Sequence, residues 1–243
     1  MTLEGRAALV TGAGRRVGQA IAVGLARAGC DVAVHVHGTV DGGSYTVRQI
    51  QALGRQAAAV AADLADPGAA QSLARRAAGL LGGRLDILVN SAAIMVKQAV
   101  TDVSPESWNQ TLDLNLRAPF FVTQGAVPFL RASRGRVVNL ADVAGLEPWP
   151  QYVPHCVSKA GVVMLTKGLA RALAPDILVN AVAPGAVLLP DDWDDKTRAH
   201  FAETTPAGRL GSPEDVVQAV RYLLTADYVT GTVLVVDGGR VIR

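Results

Sequence analysis

Residues 7–28 read AALVTGAGRRVGQAIAVGLARA, and the fold turns on how this stretch is read. Ala7–Val10 is a short apolar run without polar alternation, as expected of a strand buried on both faces. From Val17 to Ala28 apolar residues recur every three or four positions, which predicts an amphipathic helix. Between the two, Thr11-Gly12-Ala13-Gly14-Arg15-Arg16-Val17-Gly18 reverses the chain within a few residues. Glycines in such a turn let the backbone come close to an anion, and the start of the next helix favours negative charge there.

The same unit repeats along the chain. Val32–Val36, Gln56–Val60, Ile87–Val89, Val137–Leu140, Leu178–Val182 and Val233–Val236 are further apolar runs. Helical period falls between them at Ser44–Leu53, Pro67–Leu80, Pro105–Leu116, Pro119–Ala132, Pro154–Leu173 and Pro213–Leu224. Asp66-Pro67, Ser104-Pro105 and Ser212-Pro213 each place a capping residue before a first-turn proline. Alternation of this kind predicts an α/β fold: a doubly wound parallel sheet of about seven strands with helices on both faces. No repeat or linker divides residues 1–243, so one domain is expected, with an insertion near 185–211 before the last helix. Functional residues are expected just past the carboxyl ends of the strands.

Composition narrows the function. Half of the 243 residues are apolar, 18% are charged, and the formal charge is +2. No basic cluster interleaves with aromatics, which argues against nucleic acid as a partner. Two cysteines, Cys30 and Cys156, are too few for a disulfide framework and lack metal-ligand spacing. No apolar run is long enough to span a membrane, and the first residues lack the features of a signal peptide, so a cytoplasmic protein is expected.

The glycine turn predicts a dinucleotide cofactor, and its charge predicts which one. The second strand ends in Val34-His35-Val36-His37-Gly38-Thr39, without the carboxylate that would hold an adenosine ribose. Arg15 and Arg16 suit a 2′-phosphate, with His37 and Thr39 as further donors, so NADPH/NADP+ is expected over NADH. Strand period puts His35 and His37 on one side. Without a third ligand this pair does not make a metal site, and none is expected.

Further along come Asp63-Leu64, Asn90-Ser91-Ala92-Ala93, Asn115, His155 with Lys159, Pro184-Gly185 and Val235-Val236-Asp237-Gly238-Gly239. In order and over nearly the whole length, this series resembles the short-chain dehydrogenase/reductase family, which has a Rossmann-type fold. The resemblance implies that Gly12, Arg16 and Gly18, with Val17 between them, line the pyrophosphate. It implies that His35, His37, Gly38 and Thr39 face the adenosine, that Asp63 and Leu64 flank the adenine, and that Asn90, Ser91 and Ala92 floor the nicotinamide half. Pro184, Gly185 and Val187 would border the carboxamide, Asn115 would position a water, and Lys159 would grip the ribose and lower the pKa of a neighbouring acid. A small-molecule substrate and a homo-oligomer, a tetramer above other sizes, go with the resemblance.

Three positions depart from the family pattern: Arg16 stands for the usual Gly, Asp142 for Ser, and His155 for Tyr. The first two, with the His-rich end of strand two, resemble the pteridine reductase branch. They imply reduction of a pterin-like C=N bond ahead of the alternative, a 3-oxoacyl-thioester or small-ketone carbonyl reductase. His155 and Lys159, four residues apart, share one helix face. Imidazole titrates near 6.5 and is a competent acid at neutrality, so Asp142, His155, Lys159 and Asn115 form the candidate catalytic set. Tyr152 or a water relayed through Asn115 are alternative donors, and a nucleotide-binding protein with impaired turnover is the reading without one. In Leu188–Asp195 the expectation is that Asp192 caps a short helix and Trp193 packs as a lid.

Overall fold

The computed structural model describes residues 1–188 and 194–242. Seven strands, β1 (Ala7–Val10), β2 (Asp31–Val36), β3 (Ala57–Ala61), β4 (Ile87–Asn90), β5 (Arg136–Leu140), β6 (Leu178–Pro184) and β7 (Val233–Val236), form one sheet. Their order is β3-β2-β1-β4-β5-β6-β7, and every pairing is parallel. The helices are α1 (Arg16–Arg27), α2 (Ser44–Ala52), α3 (Pro67–Leu80), α4 (Pro105–Leu112), α5 (Ala118–Ser133), α6 (Val153–Leu173), α7 (Asp195–Glu203) and α8 (Pro213–Thr225). No described helix is long and apolar enough to cross a membrane.

Strand alternation divides the core in two. Ala8, Val10, Val32, Val34 and Val89 face a cluster built with Ile21 and Leu25 of α1, Ile50 of α2 and Val216, Val220 and Leu223 of α8. Ala7, Leu9, Ala33, Leu88 and Val137 face the opposite cluster, with Leu73 and Ala77 of α3 and Val122, Ala126 and Leu130 of α5. Each fully buried aliphatic side chain contributes about 1.5–3 kcal/mol. Because consecutive strand residues feed both clusters, a one-residue slip would exchange the two faces, and the register is fixed.

The expected helix Pro105–Leu116 is interrupted. After α4, residues Asp113–Arg117 form a π-helical turn before α5 begins. Such turns widen a helix by one residue and frequently occur at functional sites. Here the turn carries Asn115, which is buried. The helix beyond the insertion runs Asp195–Glu203 and is capped by Asp194, whose carboxylate accepts from Thr197 N–H at 2.7 Å. The cap expected at Asp192 and the lid at Trp193 lie outside the described residues.

β1 and β4 are sequence-distant neighbours from which the chain departs to opposite sides, the switch point of the sheet. Thr11, Asp63, Ser91, Asp142 and Gly185 all follow strand ends on this one edge.

Candidate active site

At the switch point a hydroxyl adds to the backbone bond from Thr11 N–H to the Val89 carbonyl. Thr11 Oγ1 accepts the N–H groups of Ser91 (2.9 Å) and Ala92 (3.0 Å), fastening the exit of β4 to that of β1. Gly12 has φ +64°, and a Cβ there would stand 2.9 Å from Ala92 Cα. A Cβ on Gly18 would collide with the Gly12 carbonyl oxygen. Both glycines are therefore required by close backbone approach.

His35 supports this loop from beneath, which corrects its expected place at the cofactor. Its ring is 2% exposed. Nε2 lies 3.2 Å from the Ala62 carbonyl and so donates, leaving Nδ1 to accept Gly12 N–H at 3.1 Å. Burial lowers its pKa to about 4, and the neutral ring is what this bonding needs. The strand ends at Val36, so the period of two fails beyond it. His37 turns outward with 78% of its side chain exposed, 3.8 Å from Asp63 Oδ1. Gly38 and Thr39 are exposed beside it, and Leu64 is buried.

The start of α1 fits a phosphate group. Its N-cap residue, Arg15, makes no side-chain cap and the first turn holds no acid, so the leading N–H groups are left to a ligand. Arg15 and Arg16 are exposed. Arg16 has φ +55°, a left-handed conformation that costs a non-glycine residue about 1–2 kcal/mol. Its Nη2 donates to the Leu188 carbonyl at 3.1 Å, so the guanidinium reaches across to the segment after β6. There Pro184 ends β6, Gly185 N–H donates to Val236 O at 3.0 Å, and Val187 is half-buried.

Asn90 fits the remainder of a dinucleotide. Its Nδ2 donates to Asn139 Oδ1 (2.9 Å) and Thr123 Oγ1 (3.1 Å), while its buried Oδ1 has no partner in the protein. An unsatisfied buried acceptor costs about 1–3 kcal/mol, and a donor on a bound ligand would remove that cost.

Beside this floor lies the acid–base cluster. Asn115 pairs with the backbone of Ile94 in both directions, accepting its N–H (2.9 Å) and donating to its carbonyl (2.8 Å). The same carbonyl takes a hydrogen bond from Nδ1 of His155 at 3.2 Å. That fixes the proton on Nδ1 and leaves Nε2, 3.6 Å from Asp142 Oδ2, without a hydrogen-bond partner. Asp142 Oδ1 accepts Ala144 N–H at 2.9 Å, which fixes the carboxyl plane. Lys159 is buried one helical turn beyond His155 and donates to the Leu140 carbonyl at 2.7 Å. Burial lowers its pKa to about 8, partly offset by the Asp142 carboxylate.

The structure thus brings Asp142, His155, Lys159 and Asn115 together. Tyr152 precedes α6 with its ring edge-on to Trp149, centroids 6.0 Å apart. Two contributors were not foreseen in the sequence. Ser158 accepts from Asn115 Nδ2 (3.1 Å) and donates to His155 O (2.7 Å); its signal was a small polar residue on the buried face of α6. The Ile94 carbonyl is backbone and carries no residue-type signal.

Residues 12–240 match the family model described as enoyl-(acyl carrier protein) reductase. The chain belongs to the short-chain dehydrogenase/reductase family, and it is an oxidoreductase of that type. This short-chain dehydrogenase/reductase is 39% identical to 3beta-hydroxysteroid dehydrogenase 1 of Eggerthella lenta, over 98% of the chain and 94% of the relative. It is 35% identical to the 3-oxoacyl-(acyl-carrier-protein) reductase of Staphylococcus aureus, over 96% and 97% of the two chains. Among solved structures, acetoin dehydrogenase from Salmonella typhimurium superposes with a TM-score of 0.87 at 32% identity, covering 97% of this chain and 95% of that one. A Beutenbergia cavernae structure described as an NAD(P) dependent gluconate 5-dehydrogenase with bound NADP gives 0.91 at 37% identity, with coverage of 100% and 99%. The family uses nicotinamide cofactors, in keeping with the fit of the glycine loop and Asn90.

Proposed function

We propose that the protein is an NADP(H)-dependent carbonyl reductase, interconverting a ketone and its secondary alcohol. One observation carries the reading: the Asp142–His155 contact of 3.6 Å, backed by Lys159, sits on the same strand edge as an uncapped, arginine-bearing glycine loop. A bound nicotinamide supplies the hydride. The protein supplies the rest. Arg15 favours a 2′-phosphate that a carboxylate at the end of β2 would repel, while Arg16 turns towards the segment after β6. His155, which stands where the family has Tyr, and Asp142 hold the proton required by the substrate oxygen. Lys159, kept near the ribose position by Leu140, adds positive potential behind them.

A carbonyl substrate leads because the hydroxysteroid dehydrogenase and ketoacyl reductase relatives are named for such chemistry. A pterin-like C=N substrate is the second reading, favoured by Arg16 reaching Leu188 on the substrate side of the edge. The test is consumption of NADPH against NADH with an acetoacetyl thioester and with a dihydropterin. The expected result is a lower KM for NADPH and turnover of the thioester. A lower KM for NADH, or consumption of neither substrate, overturns the reading; preference for the dihydropterin selects the second. The exposed Val157 and Met164 of α6 and Val235 of β7 suit self-association, which sedimentation measures.

A further inference from the structure

Resting on the carbonyl-reductase reading, we propose that Asp142 is the catalytic residue that hands the proton to substrate, and that His155 is a positioning residue that refills it from behind. By residue type alone, the imidazole is the natural donor. Three observations reverse the order. First, His155 is recessed: its side chain is 4% exposed, and Nε2 is fully covered. Second, its other nitrogen is committed, because only a protonated Nδ1 can bond the Ile94 carbonyl. The neighbouring amide nitrogen of Asn115, 3.5 Å away, is itself a donor, since its oxygen accepts Ile94 N–H. The neutral ring therefore aims a bare lone pair at Asp142 Oδ2. Third, Asp142 is the outermost ionisable group of the cluster, with a quarter of its side chain exposed, whereas Lys159 is buried and tied to Leu140.

A lone pair on Nε2 facing a carboxylate oxygen is repulsive unless a proton lies on one of them. At 3.6 Å the pair is longer than a hydrogen bond, so Oδ2 is not locked to the ring. In the step, the Oδ2–H bond of Asp142 breaks and an O–H bond forms on the substrate oxygen, which gains its electron pair through hydride addition to the carbonyl carbon. The electron pair of the broken bond stays on the carboxylate. The proton on Oδ2 is the single one that the pair shares: it comes from Nε2, whose N–H bond breaks as Oδ2–H forms and leaves the ring neutral, and after turnover solvent restores it through Asp142, the more exposed member of the pair. Oδ1, held by Ala144 N–H, keeps the carboxyl group oriented throughout. Reach also favours the carboxyl, because a quarter of the Asp142 side chain is exposed, whereas Nε2 would first have to be uncovered.

The experiment compares Asp142→Asn with His155→Gln, both checked for wild-type circular dichroism and NADP+ affinity. Turnover is followed as NADPH oxidation with an acetoacetyl thioester. Loss of a direct general acid costs about 10²–10⁴-fold, so Asp142→Asn is expected to lower kcat at least about 100-fold. His155→Gln is expected to lower kcat about 10-fold with KM unchanged, and formate is expected to restore part of the rate to Asp142→Gly. The reverse ranking, with His155→Gln the more damaging and no formate rescue, overturns the assignment. Nitrogen-15 histidine spectra of the NADP+ complex give a readout independent of turnover. The His155 Nε2 signal moves in Asp142→Asn if the two share a proton; no movement overturns the pairing. If wild type consumes no NADPH, the carbonyl-reductase reading fails, and the spectra alone judge the dyad.

Discussion

Helices α1 and α8 lie side by side over one face of the sheet, yet they begin in opposite ways. α8 is closed by its own residues: Ser212 and Asp215 form a reciprocal capping box, and Asp215 also takes two hydrogen bonds from Arg209, at 2.9 and 2.7 Å. Those bonds hold its carboxyl well below the usual carboxylate range. α1 has no cap, no acid and two exposed arginines, one in a left-handed conformation. The same element is therefore closed by its own side chains in one place and left open in the other, as a phosphate-binding start requires. A capping side chain at α1 would satisfy the N–H groups but fill the space of the phosphate.

Substitutions at the two ends should separate these roles. The largest effect is expected from Gly18→Val, whose side chain has to enter the space of the Gly12 carbonyl. NADPH affinity measured by fluorescence titration should fall at least about 100-fold, since the anion cradle depends on backbone approach. Next is acid. His35 binds its proton at about 4 in the fold and near 6.5 when unfolded, so the unfolded chain holds more protons between these values. Stability should be complete above about 6.5 and fall on acidification towards 4, by on the order of 3 kcal/mol, as read from denaturant midpoints against pH. His35→Phe should flatten that slope.

Arg15→Glu should weaken NADPH binding about 10-fold and leave NADH binding nearly unchanged, because only the 2′-phosphate loses its partner. Equal loss for both nucleotides would mean that Arg15 serves the pyrophosphate instead. The smallest effect is at the other helix. Asp215→Ala should cost about 1 kcal/mol, a fall of about 2–4 °C in Tm, with nucleotide affinity unaltered. A change in affinity there would erase the contrast between the two ends.

Most of this architecture was legible because the strands are short, continuous and apolar. Ala7–Val10 and Val233–Val236 fall where the composition places them, and Pro67 and Pro213 mark their helix starts because proline is favoured in the first turn and costly deeper, although α5 tolerates Pro128. His35 was misplaced because period-two reasoning assumes that the strand continues, and it ends one residue later. The π turn at Asp113–Arg117 was invisible because Leu112 and Leu116, four residues apart, keep a spacing that an uninterrupted helix would also satisfy. The order of His155 and Asp142 depends on depth. Helical spacing shows which side chains share a face but says nothing of how far each is covered.

The Thr11 hydroxyl has a wider consequence. One oxygen atom, through its two lone pairs, extends the β1–β4 pairing past the last backbone bond, from Thr11 N–H to the Val89 carbonyl. The spacing of the two strand exits is thereby fastened from beneath, by a side chain that is 2% exposed. Exposed neighbours such as Met95 and Leu188 are then able to change in evolution while that junction stays constant.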